Sequence, residues 1–297
     1  MAEHVIGSGG RSRETRLPGR VNFQAAAVLV VWCVVHALTA GACAAPLERV
    51  AFESAPRRLA SGTLIAGDDI QGDLARPDGP GPFPAVIVLH GCAGMHSATK
   101  QRLADELLAW GYVALLVDSY ATRGIQHACT WTASATFARR RPDAYGALDF
   151  LARQTFVDPR RVAAVGFSAG AWVTLAVAEP NSFELFGTPG SNLRFRAAAA
   201  FYPPCGEASV RPGIPTLILI GALDDWTPAK DCSRRTDNWG NDGPPVELVV
   251  YPGAYHGFYY TYLQPGRTMF DHWLEYNGAA ADDADRRLHR FLDRHLK

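Results

Sequence analysis

The sequence predicts an α/β fold: a mostly parallel, doubly wound sheet with helices on both faces. Two observations carry this. Short, almost wholly apolar runs alternate along the chain with segments of helical spacing, the pattern of strands buried on both faces with crossover helices between them. No internal repeat or linker divides the pattern, so the 297 residues, 48% hydrophobic and 20% charged, read as one large domain behind a leader. The 29 basic and 29 acidic side chains balance, which gives no electrostatic footprint for nucleic acid.

Residues 1–44 read as a secretory signal peptide. Arg11, Arg13, Arg16 and Arg20 precede an apolar run over 25–38, broken only by His36, and small residues in an Ala-x-Ala pattern follow before Pro46. Such a run spans about 21 Å as a helix, short of the ~30 Å hydrocarbon core. Cleavage after Ala42 or Ala44 is expected. That leaves a domain over 45–297, secreted or periplasmic, with no stable membrane insertion. Cys43 follows Ala-Gly-Ala but lacks the Leu three residues earlier that a lipoprotein signal carries, which speaks against lipid anchoring there.

The elements follow in order. Segments 49–53 and 70–75 read as edge strands, and the Pro/Gly-rich stretch 76–84 as turn material. Residues 85–90 form a buried strand. The spacing predicts a helix over 99–110, with Leu103, Leu107 and Leu108 on one face and Gly111 as its stop. A strand at 112–117 leads into a long polar excursion over 119–139. A helix over 142–151 carries the stripe Ala144, Ala147, Leu148 and Leu151. Arg139, Arg140 and Arg141 read as a solvated basic face. Strands follow at 161–165, 196–201, 216–220 and 246–251, with a helix over 169–178. Thr227 and Pro228 open another helix, Thr as cap and Pro in the first turn. The chain closes on a helix over 281–297. Its Asp282, Asp283 and Asp285 sit at the positive end of the dipole, and its His289 and His295 read as surface or packing residues.

The chemistry sits at strand ends. Gly166-Phe-Ser168-Ala-Gly170 follows a strand and opens a helix, the arrangement of a nucleophile elbow. A serine hydroxyl needs a base within hydrogen-bond reach, and the base needs a carboxylate to orient it. In this arrangement the chain order is Ser, acid, His. The strand 216–220 leads to Asp224 and Asp225, one of which is the expected acid. The strand 246–251 leads to His256, the expected base. Two backbone N–H groups must receive the oxyanion: Ala169, just after the serine, and Cys92, in the Gly-rich loop after His90.

These segments resemble the dienelactone hydrolase family, with the α/β-hydrolase fold, from about residue 60 onward. The resemblance rests on Leu89-His-Gly-Cys-Ala-Gly94, Pro142-Asp-Ala-Tyr-Gly-Ala-Leu148, Gly166-Phe-Ser-Ala-Gly170, Phe201-Tyr-Pro-Pro-Cys205, Gly221-Ala-Leu-Asp-Asp-Trp-Thr-Pro228 and Tyr251-Pro-Gly-Ala-Tyr-His-Gly257. It implies Asp224 as the acid, with Asp225 a neighbour capping the next helix. Two departures matter. The best-known members carry Cys as nucleophile where Ser168 stands here. They also hold a substrate carboxylate with Arg four residues after the catalytic His, where Tyr260 stands here. A neutral ester is the implied substrate.

Removing the leader leaves Cys92, Cys129, Cys205 and Cys232, with three possible connectivities. Cys205 follows one strand and Cys232 lies in the helix after the next, so adjacent crossings could bring them together, and Cys92 would then pair with Cys129; the sequence leaves the connectivity open. Four reduced thiols are the alternative. Trp131, Trp226, Phe258, Tyr259 and Tyr260 are candidates for a substrate pocket. The expected protein is a serine hydrolase cleaving small-molecule carboxylic esters without metal or organic cofactor. The alternatives are a peptidase or amidase on the same scaffold and a catalytically silent binding protein.

Overall fold

In the computed structural model, eight strands build one sheet in the order β1-β4-β6-β5-β7-β8-β9-β10. They are β1 (Glu48–Glu53), β4 (Asp69–Ala75), β5 (Phe83–Leu89), β6 (Val113–Asp118), β7 (Val157–Phe167), β8 (Ala197–Phe201), β9 (Thr216–Gly221) and β10 (Val246–Tyr251). From β6 to β10 every pairing is parallel; β1 and β4 join antiparallel. Two short ribbons stand apart: β2 (Arg57–Arg58) with β3 (Leu64–Ile65), and β11 (Arg267–Met269) with β12 (His272–Leu274). The structure describes residues 46–58, 61–130, 134–207, 210–240 and 242–297. The expected leader over 1–44, Cys43 and Trp131 lie outside them.

The apolar runs are continuous because both sheet faces are covered. On one face Val86, Val88, Leu116 and Val165 meet Leu103 and Leu107 of α1 (Ser97–Ala109) and Leu288 and Leu292 of α6 (Gly278–Leu296). On the other, Ile87, Leu89, Leu115 and Ala164 meet Ala144, Leu148 and Leu151 of α2 (Ser134–Ala152). Successive residues of β5 thus enter opposite cores, as the pleat dictates. Each fully buried Leu or Val contributes about 1.5–3 kcal/mol. Further helices are α3 (Ala169–Val177), α4 (Ser182–Phe186) and α5 (Ala229–Trp239).

The structure corrects several expectations. β4 is not an edge strand, because β1 covers it. α2 begins at Ser134 and runs through Pro142, so the polar excursion is shorter than the sequence implied. A proline normally ends a helix; here the Pro142 carbonyl accepts the Ala55 N–H at 2.9 Å, and Arg140 anchors the preceding turn. Arg140 is no solvated residue. It is fully buried and donates to the His90 carbonyl at 2.6 Å. Arg141 lies over the Trp172 and Phe186 rings, and of the triplet only Arg139 is exposed, paired with Asp68. α6 starts earlier than expected, capped by the Asn277 side chain on the Ala280 N–H. His289 stacks on Trp110 and His295 packs on Phe291.

α1 and α6 share a partly buried polar contact. The Tyr259 hydroxyl sits between Glu106 Oε2 (3.1 Å) and Asp285 Oδ1 (2.6 Å), with Arg102 reaching both carboxylates. Burial, reinforced by the Asp285 charge, pushes Glu106 up to about 7; burial also raises Asp285. A carboxyl whose native pKa exceeds its unfolded value binds more protons in the native state, so stability falls as pH rises through that interval. The Glu106 contribution should therefore decline between about pH 4.5 and 7. Thermal melts at pH 5 and pH 8 should show a drop for the parent chain that Glu106→Gln reduces by about 2–4 °C. An equal drop in both would refute the assignment.

Candidate active site

Ser168 stands between β7 and α3, at the point where the chain turns from strand to helix. Its φ of 52° and ψ of −115° are strained for a non-glycine residue. The turn survives because the positions two residues to either side, 166 and 170, are both Gly. A Cβ on Gly166 would lie 2.3 Å from the Gly170 carbonyl oxygen, and a Cβ on Gly170 2.1 Å from that of Leu89. The Ser168 N–H donates to Phe201 O at 2.9 Å and its carbonyl accepts from Trp172 N at 3.0 Å. The hydroxyl is thereby held above the sheet at the α3 N-terminus.

The base and the acid come from the loops after β10 and β9. His256 Nε2 lies 2.9 Å from Ser168 Oγ, and Nδ1 lies 2.8 Å from Asp224 Oδ2. Both partners of that second contact are buried. Asp224 Oδ1 also accepts the N–H groups of Trp226 (3.0 Å) and Thr227 (2.7 Å). The carboxylate is fixed in one orientation and faces an Nδ1–H. That selects the tautomer whose Nε2 is bare and able to accept the serine proton. Of the two candidate aspartates, Asp224 reaches the imidazole, while Asp225 pairs with His272 at 3.4 Å. Asp225 is therefore not the expected helix cap, because Asp224 already accepts the turn's N–H groups.

Two neighbours of His256 escaped the sequence reading. The Thr227 hydroxyl lies 2.9 Å from Asp224 Oδ2 and 3.2 Å from His256 Nδ1. It does not cap α5, which starts after Pro228 with no side-chain cap. The signal that could have found it is the Asp-x-x-Thr spacing, which lets an Asp side chain accept the N–H three residues on. Tyr202, directly after β8, has φ 41° and sets its ring edge-on to His256 at 4.8 Å. It lies in the Phe201-Tyr-Pro-Pro-Cys205 segment, but nothing in that segment points to a contact with His256.

The expected oxyanion loop lies against the serine: a Cβ on Gly91 would be 3.7 Å from Ser168 Cβ. Among the described residues, neither the Cys92 nor the Ala169 N–H donates to a backbone carbonyl. Four ties hold this loop. Arg140 bonds the His90 carbonyl, and the Cys92 carbonyl accepts the Ala128 N–H at 2.8 Å. Cys92 is disulfide-bonded to Cys129 at 2.02 Å. The His90 ring accepts the Ser119 N–H at Nε2 and so donates from Nδ1 to Gly91 O. Burial, with the nearby Arg140 charge, holds His90 down at about 3, so it is a neutral strut. The second bridge, Cys205–Cys232 at 2.03 Å, completes the expected pairing.

Of the expected pocket aromatics, Trp226 is half-buried with its ring 4.9 Å from His256. Tyr260 stacks on Tyr262, and its hydroxyl would be 3.9 Å from a Cβ on Gly91. Phe258 and Tyr259 present no surface to solvent. Both are fully buried, because the loop after His256 turns inward and packs Tyr259 on Phe167 and Phe201 and Phe258 on Tyr251.

This arrangement matches known proteins along most of its length. The model of the dienelactone hydrolase family matches residues 70–296. An uncharacterized protein of Mycobacterium tuberculosis is 31% identical over 205 residues, covering 64% of this chain and 68% of that protein. The crystal structure of dienelactone hydrolase from Anabaena variabilis superposes with a TM-score of 0.57 at 16% identity, over 86% of this chain and all of that one. Esterase 2 of Thermogutta terrifontis, phosphorylated by paraoxon, gives 0.57 at 18% identity, over 84% and 94%. At such identities the two structures speak for the fold.

Proposed function

The chain belongs to the dienelactone hydrolase family, a family of hydrolases acting on ester bonds, and on that premise we propose that it cleaves carboxylic esters through an acyl-enzyme on Ser168. The observation that carries this reading is the relay from Ser168 Oγ through His256 to Asp224, at 2.9 and 2.8 Å. Ser168 attacks the ester carbonyl as His256 Nε2 takes its proton. The N–H groups of Cys92 and Ala169 receive the oxyanion. Collapse expels the alcohol, which takes the proton back from His256. Water then attacks the acyl-enzyme with His256 as base, and the acid leaves. Asp224 keeps the imidazole in one tautomer and stabilises its charged form. Tyr260, where the best-known members carry Arg, favours a neutral ester.

Paraoxon tests the nucleophile. The folded protein should gain one diethylphosphoryl group, mapped to Ser168 by peptide mass. Ser168→Ala should remove it and lower kcat by about 10⁵–10⁶. A folded parent chain that takes up no label would instead favour a silent binding protein. Matched ester and amide substrates then separate esterase from amidase.

Export is part of the same proposal. It is supported by the basic, apolar and small-residue order of residues 1–44 and by two disulfides of a kind that persist in oxidising compartments. Among the described residues no helix is long and apolar enough to cross a membrane.

A further inference from the structure

The ribbon β11–β12 ends in a turn that sequence economy does not explain. Phe270 and Asp271 both have positive φ, 53° and 66°. Two-residue hairpin turns of this hand are normally built from Asn and Gly, and a bulky residue there is an outlier. Strain of this kind persists where the surroundings hold it, often at functional sites. Core packing does not account for it, since Phe270 is 39% exposed.

The strained turn places the Phe270 ring between two parts of the candidate site. On one side lies Trp226, at 5.8 Å between centroids. Trp226 in turn lies 4.9 Å from His256 and is held from behind by His272, stacked at 4.9 Å and 12°. Asp225 pins His272 at 3.4 Å. On the other side lies His127, at 5.6 Å, two residues before the Cys129 that is bonded to Cys92. A strip of rings thus runs from the oxyanion side of Ser168 to its base. His127 is exposed, Phe270 is partly exposed and Trp226 is half-buried.

We propose that Phe270 and Trp226 form a subsite for the aryl group of an ester substrate, with Phe270 a specificity-determining residue. This rests on the reading of Ser168 as nucleophile. Flat, partly solvated rings at mixed tilts suit offset or edge-on contact with another planar ring. Histidines at both ends make the strip less suited to a flexible alkyl chain. Its continuity with His256 points to substrate rather than to a protein partner.

The test compares matched esters that differ only in the ring: methyl phenylacetate against methyl cyclohexylacetate, and benzyl acetate against cyclohexylmethyl acetate. Hydrolysis is followed by pH-stat. The parent chain should favour the aryl member of at least one pair about tenfold in kcat/KM, mainly through KM. Phe270→Leu keeps an apolar side chain, and Phe270→Gly suits the positive φ; the ratio should fall toward one in both. No aryl preference in a parent chain that hydrolyses these esters, or a preference retained in either folded variant, overturns the subsite. Failure of paraoxon to label Ser168 would instead overturn the reading beneath it. Thermal melts accompany each variant. A Phe270→Gly protein that melts no lower than its parent while losing the ratio identifies the ring as a binding group rather than a packing one.

Discussion

Asp224→Asn is expected to lower kcat by about 10⁴ with little change in melting temperature, whereas Asp225→Asn should stay within a few-fold of the parent chain. The difference follows from where the lone pairs go. Asp224 Oδ1 accepts two backbone N–H groups, and Oδ2 faces His256 Nδ1 and the Thr227 hydroxyl. Asn has one oxygen. If that oxygen keeps the backbone bonds, its NH₂ group confronts Nδ1–H. The imidazole then moves its proton to Nε2, which can no longer accept from Ser168. Asp225 carries a half-exposed carboxylate whose partner is His272, so its loss disturbs the strip beside Trp226 and leaves the relay intact. Steady-state kinetics on one ester, with melts of both variants, decide. Equal and mild losses would place the acid elsewhere.

The relay was legible because each of its members lies in a signal that the chain writes locally. Ser168 sits between two glycines after an apolar strand. Asp224 and His256 follow strands whose apolar runs end abruptly. Choosing Asp224 over Asp225 needed the resemblance, since adjacent carboxylates look alike until one of them faces a ring. The opposite case is Arg140. Three consecutive arginines read as solvated charge, and the acceptor that draws one of them inside is a carbonyl 50 positions away. Pro142 likewise concealed the first two turns of α2, because proline's local preference is to end a helix and tertiary bonds override it here. Tyr202 and Thr227 meet His256 only through crossings of the sheet. The segment after Tyr260 carries no strong periodicity, so the ribbon that brings Phe270 to the site could not be read.

Gly170→Ala should be among the most damaging single-methyl changes beside the relay. The added Cβ would meet Leu89 O at 2.1 Å and His90 O at 2.5 Å. Both are backbone atoms at the end of β5, so no side chain can rotate away. Relief requires α3 and the end of β5 to separate. That end of β5 carries the loop with Cys92, and α3 carries Ala169 and follows Ser168. Separation therefore opens the gap between the two expected oxyanion donors. Overpacking of this kind costs about 1–3 kcal/mol or more, and misplacing one oxyanion donor costs about 10²–10³ in kcat. Gly206→Ala is the control, since its Cβ would meet nothing nearer than 3.8 Å, and it should leave melting temperature and kcat near those of the parent. Arg140 would limit the repair: its bond to the His90 carbonyl resists any retreat of β5, so the displacement falls on the Ser168 side and the Ser168–His256 distance should lengthen as well. Slower paraoxon labelling at Ser168, alongside the lower kcat, would report that lengthening. Parent-like labelling with reduced kcat would confine the damage to the oxyanion donors.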